Sequence, residues 1–136
     1  MSKILLIDDD PDFLDGARVL LEQEGFDVAT ASSAAEGLQK VRDAAPDLII
    51  LDVMMDTDYE GFDVARTIRE KMKLRSLPII ILSGLRATKK IPYQFAPDEQ
   101  YMPVDIFLDK GIQPNTLVRM IREILAEQRD TPKSPL

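Results

Sequence analysis

Short unbroken apolar runs alternate along this chain with stretches whose apolar residues recur at helical spacing. Ile4-Leu5-Leu6-Ile7, Leu48-Ile49-Ile50-Leu51, Ile79-Ile80-Ile81-Leu82 and Ile106-Phe107-Leu108 lack the in-out alternation of a half-exposed strand. Runs of this kind, rich in Ile and Leu, suit strands of a parallel sheet covered on both faces. The pattern predicts strands over residues 3–8, 26–30, 47–52, 78–82 and 104–109. Asp10-Pro11 is an N-cap followed by proline at the first helical position. Phe13, Leu14, Ala17, Leu20 and Leu21 then form a helical stripe, which Gly25 closes. Ser33-Ala34-Ala35-Glu36 matches a capping box for a helix through Val41, ended before Pro46. Phe62, Ala65, Ile68, Arg69 and Met72 place a third helix after Gly61. Pro114 opens the last helix, with Leu117, Val118, Ile121, Ile124 and Leu125 on its buried face. Residues 85–103 break the rhythm. They carry Pro92, Pro97 and Pro103 among Tyr93, Phe95 and Tyr101 without an apolar stripe, so a fourth helix is expected to be short or replaced by a loop.

This alternation predicts an α/β fold: a doubly wound, five-stranded parallel sheet of order 2-1-3-4-5, flavodoxin-like, with right-handed crossovers. One domain is expected over residues 1–127, with a disordered tail over 128–136 ending in Thr131-Pro132-Lys133-Ser134-Pro135-Leu136. In this order the first and third strands flank the switch point, and ligands bind there, outside the strands' carboxyl ends. Those two strands run into Asp8-Asp9-Asp10 and Asp52, and the fifth runs into Lys110. Carboxylates and a lysine at one sheet edge make a metal-and-phosphate combination.

Composition narrows the chemistry. The chain of 136 residues has neither cysteine nor histidine, so disulfides, thiol catalysis and a resident histidine base are all excluded. Any phosphohistidine must belong to another molecule. A net charge of −7 argues against direct nucleic-acid binding, which leaves a basic footprint. No apolar stretch reaches membrane-spanning length, and Met1-Ser2-Lys3 leads into the first strand without a signal peptide. A cytoplasmic protein without membrane contact is expected.

With these residues in view, the chain resembles the receiver domain of two-component response regulators over about residues 3–127. The resemblance rests on the Ile4-Leu5-Leu6-Ile7-Asp8-Asp9-Asp10 opening, on Pro46-Asp47-Leu48-Ile49-Ile50-Leu51-Asp52-Val53-Met54-Met55, and on a late strand ending at Lys110. It implies that Asp52 is the phosphoacceptor and itself a ligand of Mg2+, that Asp8 and Asp9 are the acidic pair for the metal, Asp9 directly and Asp8 through water, and that the backbone carbonyl of Met54 completes the protein ligands. It implies further that Ser83 hydrogen-bonds the phosphoryl group, that Lys110 pairs with it, and that Phe107 is the switch aromatic. The implied partners are a histidine kinase or phosphotransfer protein and a downstream protein target, with a phosphorylation-dependent homodimer as one form of output. No turnover of an external substrate is expected, only self-phosphorylation and slow dephosphorylation.

Each of these residues also has an ordinary structural reading. A triple Asp after a strand serves as cap and turn, Asp52 as a strand-end turn residue, and Ser83 as a hydroxyl satisfied by backbone. Lys110 alone reads as a solvated charge and Phe107 as plain core. The joint position of the aspartates, Ser83 and Lys110 at one sheet edge favours the chemical reading, while Phe107 stays open between plain core and switch.

Three departures from the family pattern stand out. Gly111 follows Lys110 where the family usually has a cis proline; a non-proline cis bond costs about 2.5–4 kcal/mol, so a trans bond or glycine turn is expected. Met55-Asp56-Thr57-Asp58-Tyr59-Glu60-Gly61 is longer and more acidic than the usual loop after the phosphoacceptor. The interval from Ser83 to Lys110 is also longer than usual. Two other classes compete with the phosphoacceptor switch. One is a pseudo-receiver that binds partners without phosphorylation. The other is a haloacid-dehalogenase-like phosphatase, whose Asp-x-Asp signature is not met at Asp52-Val53-Met54. The switch is read as free-standing because no effector domain follows residue 127, with a module of a larger protein as the variant.

Overall fold

The computed structural model describes residues 2–52, 60–74, 76–83, 106–109 and 111–130. In chain order it forms β1 (Lys3–Ile7), α1 (Pro11–Gln23), β2 (Asp27–Ala31), α2 (Ala34–Ala44), β3 (Leu48–Leu51), α3 (Glu60–Glu70), β4 (Ile79–Ser83), β5 (Ile106–Asp109) and α4 (Pro114–Asp130). Every pairing is parallel, and the order across the sheet is β2-β1-β3-β4-β5. The expected order 2-1-3-4 is therefore present, and β5 pairs alongside β4. The short or missing fourth helix expected over 85–103 lies outside the described residues.

The unbroken apolar runs are explained by the two layers they separate. Leu5, Ile7, Ile49, Leu51, Ile79 and Ile81 face one side, against Val41 of α2 and Val64, Ala65 and Ile68 of α3. Ile4, Leu6, Leu48, Ile50, Ile80 and Leu82 face the other, against Leu14 and Leu21 of α1 and Leu117, Val118, Ile121 and Leu125 of α4. Each such side chain contributes about 1.5–3 kcal/mol on full burial, which accounts for the unbroken apolar runs Ile4–Ile7, Leu48–Leu51 and Ile79–Leu82.

Local chemistry sets the helix ends. The Asp10 carboxylate accepts from the Asp12 and Phe13 amides at 3.0 and 3.3 Å, and Pro11 follows it as N1. At the other end of α1, Gly25 takes φ +95°, the left-handed region that favours glycine. Its amide donates to the Glu22 carbonyl and the Phe26 amide to that of Leu21, a Schellman closure. This closure explains why β2 begins at Asp27 and not at 26: Phe26 is taken up by the helix end and buried against Leu21. The Ser33 hydroxyl caps α2 by accepting from the Glu36 amide at 3.2 Å. The return arm differs from the expected box, because Glu36 reaches one residue further back and accepts from the Ser32 amide (2.9 Å) and hydroxyl (3.1 Å). Two helices also differ in extent. α2 continues past Val41 to Ala44, and α3 begins at Glu60, ahead of Gly61, and stops at Glu70, leaving Met72 beyond the helix but still packed on the core. α4 runs to Asp130, past the boundary expected at 127; residues 131–136 lie outside the described residues.

α2 approaches β1 so closely that a Cβ at Gly37 would stand 2.6 Å from Cδ1 of Ile7. Gly37→Ala therefore opposes two effects: a helix-propensity gain of about 1 kcal/mol and an overpacking penalty of about 1–3 kcal/mol. Net destabilisation in urea titrations is the expected outcome, and a more stable variant would show that Ile7 moves aside at little cost. The bonds from Ser32, with Lys40 nearby, hold the Glu36 carboxyl below its ordinary pKa. A depressed folded-state pKa adds stability above the unfolded value and loses it as pH falls through the folded value. Glu36→Gln is thus expected to destabilise at neutral pH and to converge on the parent protein below about pH 4, as followed by denaturation at several pH values.

Candidate functional site

The strand ladder does not stop where the strands stop. β1 and β3 pair with Ile7 opposite Leu51, and one step further the Asp52 amide donates to the Ile7 carbonyl at 2.9 Å. On the other flank of β1, the Asp8 amide donates to the Ala31 carbonyl at 3.1 Å. The first acidic residue after each apolar run is therefore fixed to the sheet by its backbone. Asp8 and Asp52 are 2% and 6% exposed, the only buried polar or charged residues among those described. Taking a carboxylate out of water costs several kcal/mol without compensation. Part of that compensation is local, since Oδ1 of Asp8 accepts from the Asp10 amide at 2.9 Å.

Exposed Asp9 completes the cluster. One carboxylate oxygen from each of Asp8, Asp9 and Asp52 lies within 4.8 Å of the other two. Like charges at that separation oppose one another by roughly 3–4 kcal/mol per pair at an effective dielectric constant near 20, less wherever water reaches Asp9. A hard, all-oxygen donor set with one member open to solvent suits Mg2+, which takes one or two carboxylates and keeps several waters. It does not suit softer ions that require imidazole or thiolate, because the chain has neither. Asp10, the third acid of the run, is committed to capping α1 and stands outside the cluster.

The other expected site residues divide by position. Ser83 closes β4 opposite Asp109, two positions beyond Ile81, which pairs with Leu51; it therefore reaches the same carboxyl edge as Asp52. Phe107 lies in β5 opposite Ile81. The side chains of both are outside what the structure describes, as are Met54 and Lys110 entirely, and with Lys110 the peptide bond to Gly111. One contributor escaped the sequence reading. The Ala31 carbonyl holds the Asp8 backbone, and the Glu36 clasp on Ser32 fixes the turn directly after it. The capping motif signalled a helix start at that point, but nothing in the sequence tied it to Asp8.

No helix among the described residues is long and apolar enough to cross a membrane. Comparison with known proteins matches residues 4–122 to the response regulator receiver domain family. The DNA-binding response regulator MtrA of Mycolicibacterium smegmatis is 30% identical over 135 residues, covering 99% of this chain and 55% of that protein. Response regulator Rre1 of Synechocystis is 30% identical over 129 residues, covering 93% of this chain and 52% of that protein. The chain thus spans about half the length of these curated relatives. Among solved structures, a CheY-like receiver domain protein from Methanospirillum hungatei superposes with a TM-score of 0.78 at 26% identity, covering 95% of this chain and 97% of that one. TrrA of Thermotoga maritima, solved in complex with Mg2+-BeF, superposes with a TM-score of 0.74 at 27% identity, covering 91% of this chain and 99% of that one. The matched span runs through both acidic strand ends, and the chain belongs to the response regulator receiver domain family.

Proposed function

We propose that this domain is the phosphoacceptor switch of a two-component system and that Asp52 receives the phosphoryl group. The observation that carries this reading is the buried Asp52 carboxylate held beside Asp8 and Asp9 at the sheet's carboxyl edge. Membership of the receiver family points to a phosphohistidine of a histidine kinase or phosphotransfer protein as the donor, and the chain itself contains no histidine. An Asp52 oxygen attacks phosphorus; the P–O bond forms as the P–N bond breaks, and the imidazole leaves with the electron pair. Positioning and charge neutralisation supply most of the catalysis in such transfers. Bound Mg2+ would supply positive charge that offsets the developing negative charge of the transfer. Asp8, Asp9 and Asp52 would hold it, with the Met54 carbonyl as a further ligand. Ser83 and Lys110 receive the phosphoryl oxygens, and Phe107 reports the change to the output surface.

The domain turns over no external substrate. Its cytoplasmic output is altered protein binding, including a phosphorylation-dependent homodimer. With a net charge of −7 it makes no direct contact with nucleic acid; the DNA-binding names of its relatives belong to proteins of which this chain spans about half.

Intact-mass measurement after a small phosphodonor and Mg2+ tests the central claim. The expected result is a gain of one phosphoryl group that Asp52→Asn abolishes. No gain, and no spectral response to beryllofluoride in either protein, would favour the pseudo-receiver instead. Metal binding is expected to stabilise the fold by about 1.4 kcal/mol per tenfold rise in Mg2+ above its dissociation constant. Thermal denaturation with and without chelator checks this, and Asp9→Asn should flatten the dependence. Met54 and Leu85 stand two residues after Asp52 and Ser83, positions that influence dephosphorylation in the family, and neither can orient an attacking water. Slow phosphate loss is therefore expected, with a shorter half-life when both are made polar; an unchanged half-life would remove the idea.

A further inference from the structure

We propose that the opposite end of the sheet carries a docking site of its own, a cleft between α2 and α3 that takes an acidic peptide segment of a partner protein through an apolar anchor. Pro46 leads into β3 and Leu77 into β4, so the cleft lies at the amino ends of the central strands, across the core from Asp52. Its volume is about 600 Å3, within the roughly 300–1,000 Å3 typical of ligand sites. Pro46, Met72, Leu74 and Leu77 make its surface mainly apolar. Leu74 is 38% exposed, one of only two exposed large apolar side chains among the described residues.

Charge supplies the partner's chemistry. Arg42 on α2 and Lys71 just beyond α3 stand on the two walls. Both are exposed, and neither is in an ion pair among the described residues. No acidic side chain lines the cleft, although the chain has 24 acidic and 17 basic side chains. Of the nearby acids, Asp43 accepts from the Gln39 amide group at 3.0 Å and Asp47 from the Lys3 amide at 2.8 Å, Glu70 precedes Lys71 at the end of α3, and none of the three lines the cleft. Both helices end here, but a helix carboxyl end carries only about half a negative charge, so each cation keeps a net positive field. Two cations astride an apolar slot complement a large apolar side chain flanked by Asp or Glu.

The backbone turns sharply on both sides of the cleft. Ala45 at φ 48° and Lys73 at φ 58° are the only non-glycine residues with positive φ among those described. Ala45 lines the cleft, and Lys73 lies between its lining residues Met72 and Leu74. Ala45 is the C-cap of α2, whose left-handed turn ends the helix at the cleft edge. The Arg69 guanidinium donates to the carbonyls of Leu74 and Leu77, holding the rim in place and lowering the ordering cost of binding.

Selection of a displayed random-peptide library on the full chain tests the proposal. The expected winners carry a large apolar residue between acidic ones. Fluorescence anisotropy with the labelled winners should show binding on the order of tenfold weaker for the double variant Arg42→Glu/Lys71→Glu, and weaker binding for Leu74→Asp. Amide shifts on binding should centre on Ala45, Thr67 and Leu74. Circular dichroism and beryllofluoride response of both variants establish that the fold and the Asp52 end are intact. Winners that are basic or purely apolar, undiminished affinity for the charge-reversed protein, or shifts centred on the Asp52 end would each overturn it.

Discussion

The alignment of β3 against β1 is the constraint on which the acidic site depends. In a strand buried on both faces, side-chain alternation gives little help with register, because a slip by one residue exchanges one apolar face for another. The ends of the run do the work instead. At the start of β3 the Asp47 amide donates to the Lys3 carbonyl at 2.7 Å, while the Asp47 carboxylate accepts from the Lys3 amide at 2.8 Å. At its finish the Asp52 amide donates to the Ile7 carbonyl. Leu48–Leu51 is thus bracketed by two aspartates. A slip in either direction would draw a carboxylate into the sheet or push a leucine out of it, at a cost of several kcal/mol. The same bracket that fixes the register delivers Asp52 beside Asp8.

The cluster so formed is unfavourable in itself. Two carboxylates are buried and a third stands beside them, so the apolar layers beneath the strand ends offset repulsion as well as chain entropy. That imbalance is what gives a switch its sensitivity. A site whose charges oppose one another gains more from a cation, and from the contacts a phosphoryl group brings, than a relaxed site would. A ligand shifts a conformational equilibrium only by its differential affinity for the two states.

Much of this was legible in the sequence, and the reasons are physical. The apolar runs, Asp10-Pro11 and Gly25 each encode a local event, and the structure shows those events where the letters place them. The acids at the ends of β1 and β3 were readable because strand order alone makes them neighbours. Less legible were features set by a contact between distant elements. Phe26 reads as a strand residue until its amide is seen closing α1. Glu36 reads as a helix-start residue until its reach to Ser32 shows it bracing the turn beside Asp8. Gly37 looks like a weak point in a helix, and only the approach of Ile7 explains it. The cleft was invisible because its walls come from α2 and α3, and neither Arg42 nor Lys71 belongs to a motif.

α2 joins the two ends of the molecule. Its first turn carries the Glu36 clasp beside the β2 end that holds Asp8, and its last turn carries Arg42 and Ala45 at the cleft. Between them Gly37 lies flush against Ile7, the residue that precedes Asp8. A helix packed this tightly against a central strand has little slack through which to bend, so a peptide seated at its carboxyl end would act on the β1 end by shifting α2 as a unit. Close-packed interiors resist small displacements and transmit larger ones. Any coupling between the two ends is reciprocal, and the Gly37–Ile7 contact is one of the places where α2 meets the strand that carries Asp8. Relaxing that contact should weaken the coupling before it weakens either site.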